Sequence, residues 1–167
     1  MRGDNLFSFP NPVNEVAARL VAGGVVAMSA LALGLAQPWF LVPLAYGFWA
    51  RVLTGPTLSP LGQLATRFGA KVLPFAPRPV PGPPKRFAQG IGAVLSTAAL
   101  LTWLLAGWSV ARFVLLPLIV AAGLESVAGF CLGCRLFAVL MAAGLIPERI
   151  CLECADLSRR HAAAGGA

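Results

Sequence analysis

Long apolar runs separated by short polar breaks dominate the hydropathy pattern of the chain. Four of these runs approach the roughly 20 residues that a helix needs to cross a hydrocarbon core of about 30 Å. They cover residues 16–36, 39–53, 88–106 and 110–130. The second run is the shortest, so it needs Trp39 and Arg51 near its ends as interfacial anchors. The pattern predicts an all-α integral membrane domain over residues 1–167, with four transmembrane helices.

The polar breaks between these runs predict how the helices are connected. Only Gln37-Pro38 separates the first two runs, and Gly107-Trp108-Ser109 separates the last two. Breaks this short predict two helical hairpins. The hairpins are joined by a long loop over residues 54–87, and a tail over residues 131–167 follows the last run.

The loop has two parts with different predicted structures. Residues 60–71 place Leu61, Leu64 and Phe68 on one side of a helix, which predicts a short helix on the membrane surface. Residues 73–86 contain six prolines. Because proline disrupts both helix and sheet, we expect an extended polyproline connector there.

Charge predicts the orientation in the membrane. The chain is 58% hydrophobic and only 11% charged, yet its formal net charge is +7. The loop at 54–87 carries five basic residues and no acidic residue, and such loops stay in the cytoplasm. We therefore expect a multi-pass protein of the bacterial inner membrane with both termini in the cytoplasm. This topology explains the basic charge, which lacks interleaved exposed aromatic residues, so nucleic acid is not an expected partner.

The four cysteines form two C-x-x-C pairs, and they are the main candidates for chemistry. Cys131 and Cys134 follow the last long run directly, and Cys151 and Cys154 lie in the tail. In the predicted topology all four face a reducing compartment, which disfavours a permanent structural disulfide. Two hypotheses remain for these pairs, and a transporter without cysteine chemistry is a third.

Thiol chemistry is the first hypothesis. We expect Cys131 and Cys134 at the start of a short helix, where the helix dipole and the adjacent Arg135 lower a thiol pKa. Cys151 and Cys154 then form a second pair that passes or receives electrons or sulfur. Glu125, an acidic residue in an apolar run, is a candidate proton acceptor. Its alternative role is a simple ion pair with Arg19, Arg51 or Arg135.

A structural zinc site is the second hypothesis. The two C-x-x-C pairs are separated by sixteen residues, a spacing typical of tetrathiolate sites. In such a site Cys131, Cys134, Cys151 and Cys154 all bind one Zn²⁺ and hold the tail against the last transmembrane helix. Four thiolates leave no open coordination position, so this hypothesis predicts a scaffold rather than an enzyme.

Three motifs together resemble a known bacterial membrane family. They are NPVNE at residues 11–15, PVPGPPKRFAQGIG at residues 79–92 and FCLGC at residues 130–134. The chain is similar in these stretches to the family called domain of unknown function 4395. The resemblance implies a small multi-helix membrane protein with cysteine pairs, and it implies no particular reaction.

The partners follow from the hypotheses above. Thiol chemistry predicts a thioredoxin-like protein or a sulfur-carrier protein as the soluble partner. Membrane lipid surrounds the helices, and a homo-oligomer is compatible with the sequence. Whether the protein is an enzyme depends on which role the cysteines have.

Overall fold

The computed structural model describes residues 9–69, 78–152 and 154. This part of the chain is mostly helical, with two strands of two residues each and short turns between the elements. The helices are α1 (Glu15–Gly34), α2 (Leu41–Thr54), α3 (Pro60–Leu64), α4 (Gly82–Ala106), α5 (Trp108–Ala128) and α6 (Leu132–Ala142). Short helical turns cover Pro38–Phe40, Ala65–Gly69 and Glu148–Ile150, and the strands are β1 (Val13–Asn14) and β2 (Pro79–Val80). The prediction of an all-α protein is confirmed.

Three of the helices have the length and composition of membrane-spanning helices. These are α1, α4 and α5, with 20, 25 and 21 residues. Their outward surfaces are apolar: Leu105 and Val127, for example, are 86% and 82% exposed. An exposed surface of this kind is compatible with a lipid environment. α2 has only 14 residues, which is shorter than a complete span.

The long helices pack as a bundle whose contacts do not simply follow chain order. α4 and α5 are consecutive and pack along each other, whereas α1 packs mainly on α5 and α2 mainly on α4. α2 and α4 approach closely at Gly92, where an added Cβ would overlap Cε1 of the Phe48 ring. Glycine at this position therefore allows the two helices to meet. Leu41, Leu44 and Leu115 fill the buried core.

The proline-rich connector differs from the prediction. α4 begins at Gly82, so residues 82–86 are helical rather than extended. Pro83 and Pro84 lie in the first turn of α4, where a backbone N–H has no helical acceptor and proline is tolerated. In addition, β2 pairs antiparallel with β1, Val13 lying opposite Val80. The predicted absence of helix and sheet was wrong for these residues; residues 70–77 lie outside the described part.

The surface helix and the tail helix were predicted more accurately. α3 and the turn at Ala65–Gly69 cover most of the predicted amphipathic segment. Leu64 and Phe68 are 59% and 63% exposed, so they are available for contact with lipid. Leu61, predicted on the same side, instead packs against the core of the bundle near Gly24. In the tail, α6 has 11 residues and follows α5 after a three-residue break. It is too short to cross a membrane.

Candidate functional site

The first cysteine pair lies where the chain passes from α5 into α6. Gly129 ends α5 in the left-handed conformation, with φ 67°, which favours glycine. Cys131 is the N-cap residue of α6, and Cys134 lies in its first turn. The pair therefore lies at a helix N-terminus, as the sequence predicted.

A close contact between α6 and α4 fixes the position of this pair. A Cβ added at Gly133 would lie 2.5 Å from the Cβ of Ala88, so glycine is needed for this approach. The contact brings Cys131 and Cys134 next to the first turns of α4, which contain Lys85.

Lys85 and Glu125 form an ion pair beside the cysteines. Lys85 Nζ lies 2.6 Å from Glu125 Oε1, and the two side chains are only 10% and 13% exposed. The sequence analysis considered Arg19, Arg51 and Arg135 as partners of Glu125, and this choice of partner was wrong. Lys85 was missed because residues 82–86 were expected in an extended loop. The Gly-Pro-Pro start of α4 was the available signal.

The three arginines have other contacts. Arg19 donates hydrogen bonds to the carbonyl oxygens of Ser126 (3.2 Å) and Val127 (2.7 Å) at the end of α5. Arg51 is 5% exposed and donates to Gln89 Oε1 at 2.8 Å and to Ser59 Oγ at 3.0 Å. The guanidinium of Arg135 lies 5.2 Å from the centre of the Phe130 ring.

The two thiols of the first pair differ in acidity. The pKa of Cys131 lies below its ordinary value, first because the Cys134 thiol can donate a hydrogen bond to the Cys131 sulfur; the positive charge of Lys85 acts in the same direction. Burial and the Glu125 carboxylate oppose this shift. The pKa of Cys134 is raised, mainly because it holds the shared proton and is buried. These two directions favour thiolate formation at Cys131 over Cys134.

A cavity of about 700 Å³ opens beside this pair and brings the second pair into the site. Cys131, Cys134 and Cys154 all line it. Cys151 and Cys154 are joined by a disulfide, whereas Cys131 and Cys134 are free. The remaining lining comes from the first residue of α1, from β2 and the start of α4, from the turn after α5 and from the first turns of α6. It includes Glu15, Lys85 and Arg135.

The structure thus brings together most of the residues singled out in the sequence. Cys131, Cys134, Cys154 and Arg135 share one cavity, and Glu125 reaches this region through its ion pair with Lys85. Cys151 is 5% exposed and lies behind Cys154 in the disulfide. In the described part of the chain, no three His, Cys, Asp or Glu side chains are gathered closely enough to hold a metal ion.

Comparison with known proteins identifies the family of the chain. Searches of curated proteins and of solved structures gave no significant match. The sequence does match one family over residues 13–142, which include all six helices and the first cysteine pair. The chain belongs to the family described as Domain of unknown function (DUF4395).

Proposed function

We propose that the protein is a membrane thiol–disulfide oxidoreductase in which Cys131 and Cys134 exchange electrons with Cys151 and Cys154. One observation carries this proposal: Cys131, Cys134 and Cys154 line the same cavity. A nucleophilic thiol beside a disulfide is the arrangement that exchange requires, because a thiolate attacks one sulfur of a disulfide directly.

The exchange proceeds in two displacements. The Cys131 thiolate attacks Sγ of Cys154, forming a Cys131–Cys154 disulfide and releasing Cys151 as a thiolate. The Cys134 sulfur, after losing its proton to the Cys151 thiolate, then attacks Sγ of Cys131 and releases Cys154. The first pair ends as a disulfide and the second pair as a thiol and a thiolate, so two electrons have moved between the pairs. All steps are reversible.

The membrane arrangement belongs to the same proposal. α2, extended by the turn at Pro38–Phe40, serves as a fourth and shorter span beside α4. The five basic residues of the loop at 54–87 favour a cytoplasmic location for the loop, both termini and the cysteines. In a reducing compartment, a disulfide between Cys151 and Cys154 is of the transient, catalytic kind. A thioredoxin-like or sulfur-carrier protein would react with the tail pair from the cytoplasm.

Trapping of the mixed disulfide tests this mechanism. In the double variant Cys134→Ser/Cys151→Ser, only Cys131 and Cys154 remain, and we expect them to form a disulfide under mild oxidation. The matched control Cys134→Ser/Cys154→Ser keeps Cys131 and Cys151. Because Cys154 lines the cavity and Cys151 does not, the control should form much less of the bond. Trypsin cleavage after Arg135 and Arg149 separates the two cysteines, so linked peptides are identified by mass spectrometry.

Two results would overturn the proposal. The first is a disulfide from Cys131 that forms equally in both double variants, or in neither, while all remaining thiols are accessible to alkylation. The second is about one zinc per chain in protein purified without chelator, with thiols that react only after the metal is removed. That second result would support the structural tetrathiolate, in which any one Cys→Ser change weakens the site and lowers the abundance of the protein.

A further inference from the structure

A second cavity lies on the other side of Cys131, inside the helix bundle. Its volume is about 270 Å³, and it is lined by α1, α2, α4, α5 and the start of α6. Cys131 lines both this cavity and the larger one that contains Cys154. Cys131 therefore borders both a cavity at the end of the bundle and a mainly apolar cavity within it.

The lining of the inner cavity indicates the chemistry of its ligand. Most of the wall is aliphatic or aromatic and includes Val25, Phe48 and Leu118. The polar side chains on the wall are Gln89, Glu125 and Cys131. A ligand for this space is apolar over most of its surface and has a small polar head, as is usual for sites with few polar groups.

The orientation of Gln89 indicates which polar head is suitable. Arg51 Nε donates to Gln89 Oε1 at 2.8 Å, so the carbonyl end of this amide faces Arg51 and its NH₂ group is left as a donor. A ligand oxygen that only accepts hydrogen bonds matches this donor. Glu125, held by Lys85 at 2.6 Å, adds a carboxylate that can carry a proton near Cys131.

We propose that the inner cavity binds a lipid-soluble quinone, which accepts electrons from Cys131 and Cys134. This inference rests on the proposed thiol–disulfide exchange and supplies its terminal oxidant. A quinone has carbonyl oxygens that only accept hydrogen bonds and an apolar tail that reaches the cavity from the membrane. It accepts two electrons and two protons, which is the amount that a pair of thiols releases when it forms a disulfide.

The electrons and protons of this step balance. The Cys131 thiolate and the Cys134 thiol lose two electrons and one proton and form a Cys131–Cys134 disulfide. The quinone gains the two electrons, the proton from Cys134 and one proton from water, and becomes a quinol. The new disulfide then oxidises the thiols of Cys151 and Cys154. The resulting Cys151–Cys154 disulfide oxidises a dithiol of the soluble partner. Electrons thus pass from the cytoplasmic partner to the membrane quinone pool.

A single-turnover experiment tests the inference. The full chain in lipid nanodiscs is reduced with dithiothreitol, the excess is removed, and decylubiquinone is added while quinol formation is followed by absorbance. Ala122, which lines the cavity and is 8% exposed, is replaced by Phe to fill the space. The matched control is Val120→Phe on the same helix, at a position that is 58% exposed. Ala121→Leu, at another lining position, is the milder second variant.

We expect quinol formation at similar rates in the natural protein and in Val120→Phe. In Ala122→Phe the rate should fall by a factor of about ten, which corresponds to a loss of about 1.4 kcal/mol in transition-state stabilisation. When Cys134→Ser/Cys151→Ser is added to each of these three chains, trapping of the Cys131–Cys154 disulfide should be the same in all of them. If Ala122→Phe does not fold, the reduced rate is expected in Ala121→Leu.

The possible failures are distinguishable. If the natural protein forms no quinol while the double variant Cys134→Ser/Cys151→Ser still traps the Cys131–Cys154 disulfide, the quinone site is overturned. The exchange mechanism then remains intact. Equal rates in the cavity variants and in Val120→Phe would show that the quinone reacts elsewhere. Absence of the Cys131–Cys154 bond in the double variant Cys134→Ser/Cys151→Ser would overturn the proposed function itself.

Discussion

The ion pair between Lys85 and Glu125 allows a quantitative test of how the site is held together. Both side chains are largely buried, so replacing Lys85 by Met leaves a carboxylate in an apolar bundle without its partner. Removal of one member of a buried pair costs about 3 to 5 kcal/mol. Because the two side chains remain 10% and 13% exposed, we expect a value near the lower limit, about 3 kcal/mol.

The double variant Lys85→Met/Glu125→Leu separates this cost from the loss of side-chain packing. It removes both charges together, so it should be much less destabilised than Lys85→Met alone. The free energy of unfolding is measured by titration with denaturing detergent in bicelles. Arg112→Met is the control, since Arg112 is exposed and its hydrogen bond within the described residues is to Ser109 in its own helix turn.

Two results would refute this reasoning. One is a Lys85→Met variant as stable as Arg112→Met. The other is a double variant destabilised by the sum of the two single changes, which would mean that the charges do not interact. Lys85→Met also has a chemical consequence, because Lys85 lowers the pKa of Cys131. Thiolate formation at Cys131 should therefore move to higher pH, whereas Lys85→Arg should keep most of the effect.

Two further predictions concern the cysteine pair and the packing of the bundle. Cys134→Ala removes the main cause of the lowered pKa of Cys131. In the natural protein, the rate of Cys131 alkylation should decline as the pH falls through this lowered pKa. In the variant the same decline should occur at higher pH. An unchanged pH profile of iodoacetamide labelling would contradict this. Gly92→Ala should cost about 1 to 3 kcal/mol because the new methyl group meets the buried Phe48 ring. Gly90→Ala is the matched control, since an added Cβ there meets no atom within 4 Å, and equal stability of the two variants would contradict the packing argument.

The sequence by itself determined the environment and the outline of the fold. Apolar runs of about 20 residues require helices in a membrane-like environment, because unsatisfied backbone groups are too costly there. Three of these runs appear as the long helices α1, α4 and α5. The position of Cys131 and Cys134 at the start of a helix was also predictable, since Gly129 and the following apolar run are local features of the chain.

Only the tertiary structure decided which groups meet at the cysteines. Lys85 and Glu125 are 40 residues apart in sequence, and Cys131 and Cys154 belong to different segments, so no local pattern relates them. Their proximity depends on the packing of α6 on α4 at Gly133 and Ala88, and on the start of α4 six residues earlier than its apolar run. Hydropathy records which residues avoid water. It contains no information on which of several cations lies next to a carboxylate, because that choice is made by helix packing.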